Sequence, residues 1–289
     1  MPELPEVECV RRSLADAITG AHVDDVTLYR RDFAEHLAAA SAKSPHARRP
    51  TAAQLLKGQH VERVLRRGKQ IAVIGSAGHI VCLHLGMTGQ VQVEGASAPP
   101  LVRASHEHCR WSLSTSDGRR LLMRFRDPRR FGGVWALDSM TMLEALRWSM
   151  LGPDALDIDG TRLHEALRRT RRGIKSALLD QAIIAGVGNI YADEALFRAG
   201  IRPRRSASRL TRKHVDCLAR CIREVLTAAI ESGGSTLRDY LDASGARGTF
   251  QSRHTVYGRG GQPCIRCGSR LKKDVIAQRT TVWCPRCQS

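Results

Sequence analysis

The sequence predicts an α+β fold in two domains: an N-terminal helix with an antiparallel β-sandwich, then a mostly helical domain that ends in a cysteine-paired β-hairpin. Three observations carry this. Val7, Val10, Leu14 and Ile18 recur at spacings of three and four, the period of a helix that buries one face. From about residue 21 to 136 the pattern changes to short β-branched or apolar runs broken by Gly, Ser and Asp, which is how a sandwich or barrel reads. Beyond about residue 140 helical periodicity returns, and the chain finishes with two Cys-x-x-Cys pairs. A length of 289 residues is comfortable for two domains with real cores.

The first helix places Pro5 in or near its opening turn, Glu6 and Glu8 against the positive end of its dipole, and Gly20 just past its end. Strands are expected at Gln70–Gly75, His79–Leu85, Gln90–Glu94, Cys109–Thr115, Leu121–Phe125 and Gly133–Leu137. The stretch 38–51, rich in Ala, Ser, Pro and Arg, reads as an exposed insertion, and 94–105 as a mobile loop. Helices are expected over Met142–Met150, Arg162–Arg169, Lys175–Ile184, Tyr191–Arg198 and Arg212–Glu231. The last has Val215, Leu218, Ile222, Val225, Leu226 and Ala229 as an apolar stripe, Thr211 as N-cap and Gly233-Gly234 at its exit.

Lys and Arg number 46 against 28 Asp and Glu, a formal charge of +18. A polyanionic partner, nucleic acid above all, is the expectation; general basicity of the source's proteins is the competing reading. No apolar run reaches 18 residues, and the opening MPELPEVE carries acids where a secretory signal would carry a basic and then an apolar stretch. We therefore expect a soluble, cytoplasmic protein without membrane association. Cys9, Cys82, Cys109, Cys217 and Cys221 are read as reduced, mostly buried residues.

Four motifs carry chemistry. Cys264-x2-Cys267-x16-Cys284-x2-Cys287 has the spacing of a structural zinc site, four thiolates closing a tetrahedron across a hairpin with no position open for catalysis. Two redox dithiols are the weaker alternative. In Lys175–Arg198 two helical segments flank Ala185-Gly-Val-Gly-Asn189; such a turn can present backbone N–H groups and the Asn189 amide to a phosphate, or can be plain architecture. The basic run 168–172 lies just upstream. Arg126-Asp-Pro-Arg-Arg-Phe-Gly132 and His84-Leu-Gly-Met-Thr-Gly89 place Phe131 and Met87 at glycine-bounded tips beside arginines, which suits either insertion into a base stack or ordinary turn packing. Finally, removal of Met1 would expose the secondary amine of Pro2 with Glu3 beside it. An α-amino group titrates near neutrality, and such an amine attacking a carbonyl-level carbon gives an iminium; a proline that merely starts a helix is the alternative.

Assembled, these residues closely resemble the bacterial formamidopyrimidine-DNA glycosylase family. The likeness runs nearly end to end through Pro2–Glu8, Arg66–Lys69, His84–Gly89, His106-Glu-His108, Asp127–Gly132, Gly186–Glu194, Val256-Tyr-Gly-Arg259 and the four cysteines. It implies a catalytic β-sandwich domain (1–138), a linker (139–150), a helix–two-turn–helix domain with a lesion-capping loop (151–250) and a zinc finger (251–289), with damaged double-stranded DNA in the cleft between the halves and a monomeric enzyme holding one structural Zn²⁺. It implies a base-excision glycosylase and abasic-site lyase that removes oxidised purines, 8-oxoguanine and formamidopyrimidines, through a Schiff base on Pro2 followed by β- and δ-elimination. Glu3 then corresponds to the general acid/base, Glu6 to a supporting carboxylate, Lys69 to the proton donor of β-elimination and Arg259 to that of δ-elimination. His106, Arg129, Asn189 and Arg259 correspond to backbone contacts, either Arg171 or Lys175 to a further one, and Met87, Arg129 and Phe131 to the trio filling the gap left by the extruded nucleotide.

The stretch Tyr240–Phe250 resembles the capping loop in kind but not letter by letter. Two other readings stay open: an oxidised-pyrimidine enzyme of the endonuclease VIII type, whose members usually begin Pro-Glu-Gly-Pro-Glu where this chain has Leu4, and a non-catalytic zinc-finger DNA-binding protein on the same scaffold.

Overall fold

The structure, a computed structural model, describes residues 2–30, 32–37, 48–95, 103–237 and 240–289. Most of the expected insertion at 38–51 and of the loop at 94–105 lies outside the described residues. The chain divides into two compact units, one of Pro2, Glu6–Ser149 and Ser235–Gly248, the other of Glu3–Pro5, Met150–Gly234 and Thr249–Ser289.

The first unit is a sandwich. Helix α1 (Leu4–Ile18) leads into strands β1 (His22–Leu28), β2 (Ala34–Leu37), β3 (Val61–Arg67), β4 (Gln70–Gly75), β5 (Ile80–His84), β6 (Gln90–Gly95), β7 (Glu107–Ser114), β8 (Arg120–Arg126) and β9 (Gly133–Leu137). They form a four-stranded sheet in the order β1-β7-β8-β6 and a five-stranded sheet in the order β2-β9-β5-β4-β3. All pairings are antiparallel except that of β2 with β9, which is parallel. The helical stripe falls where its spacing puts it: Val7, Val10, Leu14 and Ile18 join Val23, Ile71, Val73, Leu83, Trp111, Met123 and Phe125 in one core, each buried large side chain contributing about 1.5–3 kcal/mol. The indole N–H of Trp111 is satisfied by the Leu55 carbonyl at 2.9 Å.

A short helix α2 (Met140–Leu143) closes the first unit's chain segment. After residue 149 the second unit runs through α3 (Gly160–Arg168), α4 (Ile174–Leu178), α5 (Asn189–Arg198) and α6 (Arg212–Glu231). Thr211 caps α6 in a reciprocal capping box with His214, and Gly233 and Gly234 leave it at φ of 73° and 83°. The terminal hairpin is β10 (Lys272–Ile276) with β11 (Arg279–Trp283).

Two helix expectations are corrected. The segment Lys175–Ile184 is helical only to Leu178, because Asp180 and Gln181 take over the backbone: Asp180 Oδ1 accepts the Ala182 N–H at 3.0 Å, while the Gln181 amide bonds the Leu179 and Val187 carbonyls and the Gly186 N–H. Met142–Met150 continues from α2 as a wider π-type turn over Glu144–Trp148. Of the five scattered cysteines, Cys82, Cys109 and Cys221 are buried and none is in a disulfide. No helix among the described residues is long and apolar enough to cross a membrane.

Candidate functional site

In the sandwich unit, Pro2 is buried. Glu6 is buried too; its carboxylate accepts the Ser235 N–H at 2.7 Å, and its carbonyl accepts the Tyr240 hydroxyl at 3.1 Å. The loop that Tyr240 enters is pinned at Ala243, whose N–H donates to the Ser13 hydroxyl at 3.0 Å and whose carbonyl accepts the Val93 N–H at 2.8 Å. Beyond that clamp Ser244–Arg247 are exposed, turned by the Asp242 carboxylate, which accepts the Ser244 and Ala246 N–H groups.

Lys69 sits half-buried in the two-residue turn that joins β3 to β4, closed by the Arg67–Gln70 pair. Gly68 takes the first turn position at φ 55°, a value glycine adopts without strain. Arg66 braces the turn from behind: it donates to the Gly68 carbonyl and to Glu8 on α1, both at 2.9 Å. Across β4, His84 pairs with Gln70. Burial, reinforced by the Lys69 and Arg147 charges, pushes the His84 imidazole down to about 4. Because this folded value lies below the unfolded one, the stability His84 contributes is complete above about pH 6.5 and is lost as pH falls toward 4. NMR titration should find its ring neutral at pH 5.5, and Lys69→Met should move the titration upward; a His84 midpoint near 6.5 in the parent would contradict this placement.

The two glycine-bounded tips form one assembly. Asp127 is fully buried and accepts the Thr88 hydroxyl at 2.6 Å, the Gly132 N–H at 2.8 Å and the Arg129 N–H at 3.2 Å. Gly86 touches the backbone of Phe131 and Gly132 so closely that any Cβ there would overlap it. Outside this clamp Met87 is 37% and Phe131 53% exposed, and the Arg129 guanidinium lies 4.7 Å from the Phe131 ring centre. His106 is exposed at φ 59°, its carbonyl accepting the Asp127 N–H at 3.0 Å. An apolar side chain beside a stacked guanidinium on a rigid tip can replace a base in a stack.

In the helical unit, Glu3 is buried, and its carboxylate accepts the Ile190 N–H at 2.9 Å and the Tyr191 N–H at 3.3 Å, at the start of α5. Such groups are the donors that no carbonyl within the helix can reach. The glycines upstream make room for the contact. A Cβ on Gly188 would overlap the Glu3 carboxyl carbon, and one on Gly186, at φ 109°, would overlap the Leu4 side chain; Leu4 N–H donates to the Gly186 carbonyl at 3.1 Å. Asn189 donates its amide to the Thr280 carbonyl at 3.1 Å.

The two basic candidates upstream separate. Arg171 is exposed. Lys175 is wholly buried, 2.7 Å from Asp193 and 2.7 Å from the Thr281 hydroxyl. Burial lowers the Lys175 pKa and raises that of Asp193, each charge holding the other in place. Asp193 in turn accepts the Val282 N–H at 3.0 Å, so this pair bolts the terminal hairpin to the helical turn.

Arg259 is half-buried. Its guanidinium donates to Gln262, to the Thr255 carbonyl at 3.0 Å and to the Pro263 carbonyl. The loop that carries it is held by Glu194, whose carboxylate accepts the N–H groups of Thr255, Val256 and Tyr257. Asp127, Asp193 and Glu194 are the positioning residues that sequence reasoning did not single out. All three stood inside the quoted motifs, Asp127 as an acid among arginines and Asp193 and Glu194 at the end of the otherwise uncharged run 186–194.

The sulfurs of Cys264, Cys267, Cys284 and Cys287 lie within 4.8 Å of one another, with Cys264–Cys287 at 3.9 Å and Cys267–Cys284 at 3.5 Å. A tetrahedron with Zn–S bonds of about 2.3 Å has edges of roughly 3.8 Å, so the four residues fit one zinc ion. The N–H groups of Arg266 and Cys287 point at the Cys264 and Cys284 sulfurs, both at 3.4 Å, as suits thiolate acceptors. We expect one zinc per chain by atomic emission. Cys284→Ser should abolish it and melt the Cys264–Cys287 hairpin while the sandwich stays folded; a metal-free wild-type protein with an intact hairpin would contradict the assignment.

A basic helix–turn–helix unit with a four-cysteine zinc finger, in one chain with a sandwich that carries proline at position 2, is the architecture of a DNA-repair glycosylase. Residues 1–134 match the formamidopyrimidine-DNA glycosylase N-terminal domain, 151–240 its H2TH domain and 261–289 the zinc finger found in FPG and IleRS. The formamidopyrimidine-DNA glycosylase of Xanthomonas campestris is 42% identical and that of Pseudomonas putida 41%, each over the whole of both chains. Among solved structures, MutM (Fpg) of Thermus thermophilus superposes with a TM-score of 0.82 at 36% identity, covering 99% of this chain and 98% of that one. A single-residue mutant of Lactococcus lactis Fpg, in complex with Fapy-dG containing DNA, gives 0.83 at 31%, covering both chains fully. The chain belongs to the formamidopyrimidine-DNA glycosylase family, whose members excise damaged bases in base excision repair and cleave the abasic site.

Proposed function

We propose that this enzyme excises oxidised purines from damaged double-stranded DNA as a monomer, with Pro2 as nucleophile. The Pro2 nitrogen bonds to C1′ of the damaged nucleotide as the bond to the base breaks, and the amine proton passes to a carboxylate, Glu3, with Glu6 in support. Opening of the sugar ring leaves a cationic iminium on Pro2. Proton abstraction next to the iminium then expels the 3′ phosphate and, in a second elimination, the 5′ phosphate, with Lys69 and Arg259 as the cations at the two departing oxygens. His106, Arg129, Asn189 and Arg171 act on the DNA backbone, and Met87, Arg129 and Phe131 fill the vacated stack. The zinc supplies no chemistry to these steps; its four thiolates hold the hairpin against which Asn189 and Lys175 bond. Residues 1–138 serve as the catalytic part, 151–250 as the helical DNA-binding part with its capping loop and 251–289 as the finger.

The observation that carries this reading is Glu3. Its carboxylate is next in the chain to the Pro2 nitrogen and is aimed by two helix-end N–H groups, whereas a purely DNA-binding scaffold needs neither. Borohydride should trap a covalent adduct with a duplex holding 8-oxoguanine opposite cytosine. A protein that binds this duplex and never forms the adduct would sink the catalytic claim.

A second lesion class stands on one finding: wild-type Lactococcus lactis Fpg, TM-score 0.83 to this chain, was solved with an oxidised pyrimidine containing DNA. Single-turnover rates on 8-oxoguanine and thymine glycol duplexes decide between the two, and faster release of thymine glycol would reverse the assignment.

A further inference from the structure

The helical unit holds a cavity of about 300 Å³ between the last turn of α5, the second half of α6 and the segment running from Phe250 to Arg266. Its walls are largely apolar. Phe197, Val225 and Phe250 are buried side chains that line it, Ala228 adds a small one, and Ile265 remains 60% exposed. The walls are fixed from behind: Phe197 belongs to the core that surrounds Cys264 and Cys284. The turn carrying Phe250 is tied to the exit of α6, where the Thr249 N–H donates to the Ser232 carbonyl at 2.9 Å and the Phe250 N–H to the Gly234 carbonyl at 3.0 Å. A preformed hollow of this size admits one large apolar side chain.

Three arginines border the cavity, and they are engaged unequally. Arg198 is paired with Glu224 at 3.5 Å and adds little net charge. Arg266 forms no ion pair among the described residues. Its guanidinium lies 4.4 Å from the Phe197 ring centre and donates to the Phe197 and Arg198 carbonyls at 3.2 and 3.4 Å, so a full positive charge is held at the end of α5 with two of its five N–H donors used. Arg253 is exposed and makes no side-chain hydrogen bond or ion pair among the described residues. The one acid in the lining, Glu194, gives its carboxylate to the N–H groups of Thr255, Val256 and Tyr257. An apolar hollow bordered by two such guanidinium groups is complementary to an apolar side chain flanked by carboxylates.

We propose that this cavity docks an acidic segment of a partner protein, with one aromatic or branched apolar side chain in the hollow and carboxylates on Arg253 and Arg266. Charge selects the occupant. The chain carries a formal +18, so a second copy is repelled and an acidic partner attracted. DNA matches the charge but not the walls, because a phosphate backbone leaves the apolar surface of Phe197, Phe250 and Ile265 uncovered. The cavity also lies at the C-terminal end of α5, about 13.5 Å along the helix axis from Asn189, so a partner seated there leaves the Asn189 turn to the duplex. A single buried anchor ringed by arginines concentrates binding energy in a small area. The site contains none of the residues assigned to chemistry and stands independently of the catalytic reading.

The test uses the zinc-loaded full chain and fluorescein-labelled octapeptides of aspartate and glutamate, each carrying one phenylalanine, leucine or tryptophan, followed by fluorescence anisotropy at low and high salt. At least one of them should bind, shifting the NMR signals of Phe197, Val225, Phe250 and Ile265. Alanine in place of the anchor should weaken that peptide about tenfold or more, as loss of a buried large side chain does. Arg253→Glu, at an exposed side chain with no partner to lose, should weaken it about tenfold, an effect that shrinks as salt rises, while Arg253→Lys should keep most of the affinity. The same peptide should bind equally well when the enzyme holds a duplex with an abasic-site analogue. Absence of binding by every peptide of the panel at millimolar concentration, or binding that Arg253→Glu leaves unchanged, would overturn the proposal. Displacement of the peptide by the duplex, with duplex affinity also lowered by Arg253→Glu, would make the cavity a DNA surface instead. A dimer in sedimentation velocity that Arg253→Glu dissolves would make it a contact between copies, and either result sinks the acidic partner.

Discussion

A protein carrying one uncleaved residue ahead of Pro2 is expected to bind a damaged duplex and leave it intact. The extension keeps the Pro2 ring and the Glu3 hydrogen bonds to α5, and changes only the terminal nitrogen, from a basic secondary amine to an amide with no available lone pair. Borohydride trapping should disappear, and base release should fall by on the order of 10³-fold or more, since loss of a covalent nucleophile leaves only binding and electrostatic assistance. Affinity for a duplex with a stable abasic-site analogue should stay within a few-fold of the parent. Equal trapping rates for the extended and processed proteins would show that another amine reacts. Lys69 is then the first to examine, because it is half-buried in a turn that Arg66 and Gly68 already hold in place.

The second large effect concerns Lys175, where the expected loss is of the fold rather than of DNA contact. Lys175→Met strands the Asp193 carboxylate in an interior where both partners are fully buried at 2.7 Å. Breaking such a pair from one side costs about 3–5 kcal/mol, which for a chain of this size corresponds to a melting temperature lower by about 10 °C. Scanning calorimetry measures it. Lys175→Met combined with Asp193→Leu should recover much of the loss, because no charge is then left unpaired. Arg171→Ala is the contrast: its melting temperature should match the parent, while the salt dependence of DNA binding becomes shallower by about one phosphate's worth. A Lys175→Met protein with an unchanged melting temperature and weakened DNA binding would return Lys175 to the DNA surface.

Lys175 also shows where sequence reading stops. Its motif could be recognised, but a lysine at one end of a short helix reads the same whether it faces solvent or a carboxylate 18 residues further along the chain. The partner that decides the matter, Asp193, is reached only through the packing of α4 against α5. The same limit explains the shortened helix after Lys175: its apolar spacing continues to Ile184, and what ends it is side-chain capture of the backbone by Asp180 and Gln181. By contrast, α1, α6 and the strands β4 and β9 stand where period and punctuation put them, because the helices carry a continuous apolar stripe and the two strands are short apolar runs bounded by turn residues. Strands β1 to β3 carry mixed burial and charged residues, so no clean alternation marks them individually. The four cysteines were legible in full, since metal geometry leaves little freedom in spacing, whereas the roles of Asp127 and Glu194 depend on backbone groups that no side-chain pattern announces.

The clamp around Asp127 separates what is variable from what is fixed at the protruding tips. Thr88, Asp127, Gly86 and Gly132 set the shape of the two loops together, and the side chains of Met87 and Phe131 take no part in that network. The tips therefore behave as a cassette with two interchangeable inserts. An engineer could exchange Met87 and Phe131 for other apolar or aromatic residues, to tune the probing of different mismatches or helix lesions, while leaving the four framework positions untouched. Altering Gly86 or Asp127 would instead change both tips at once, as one inherited part.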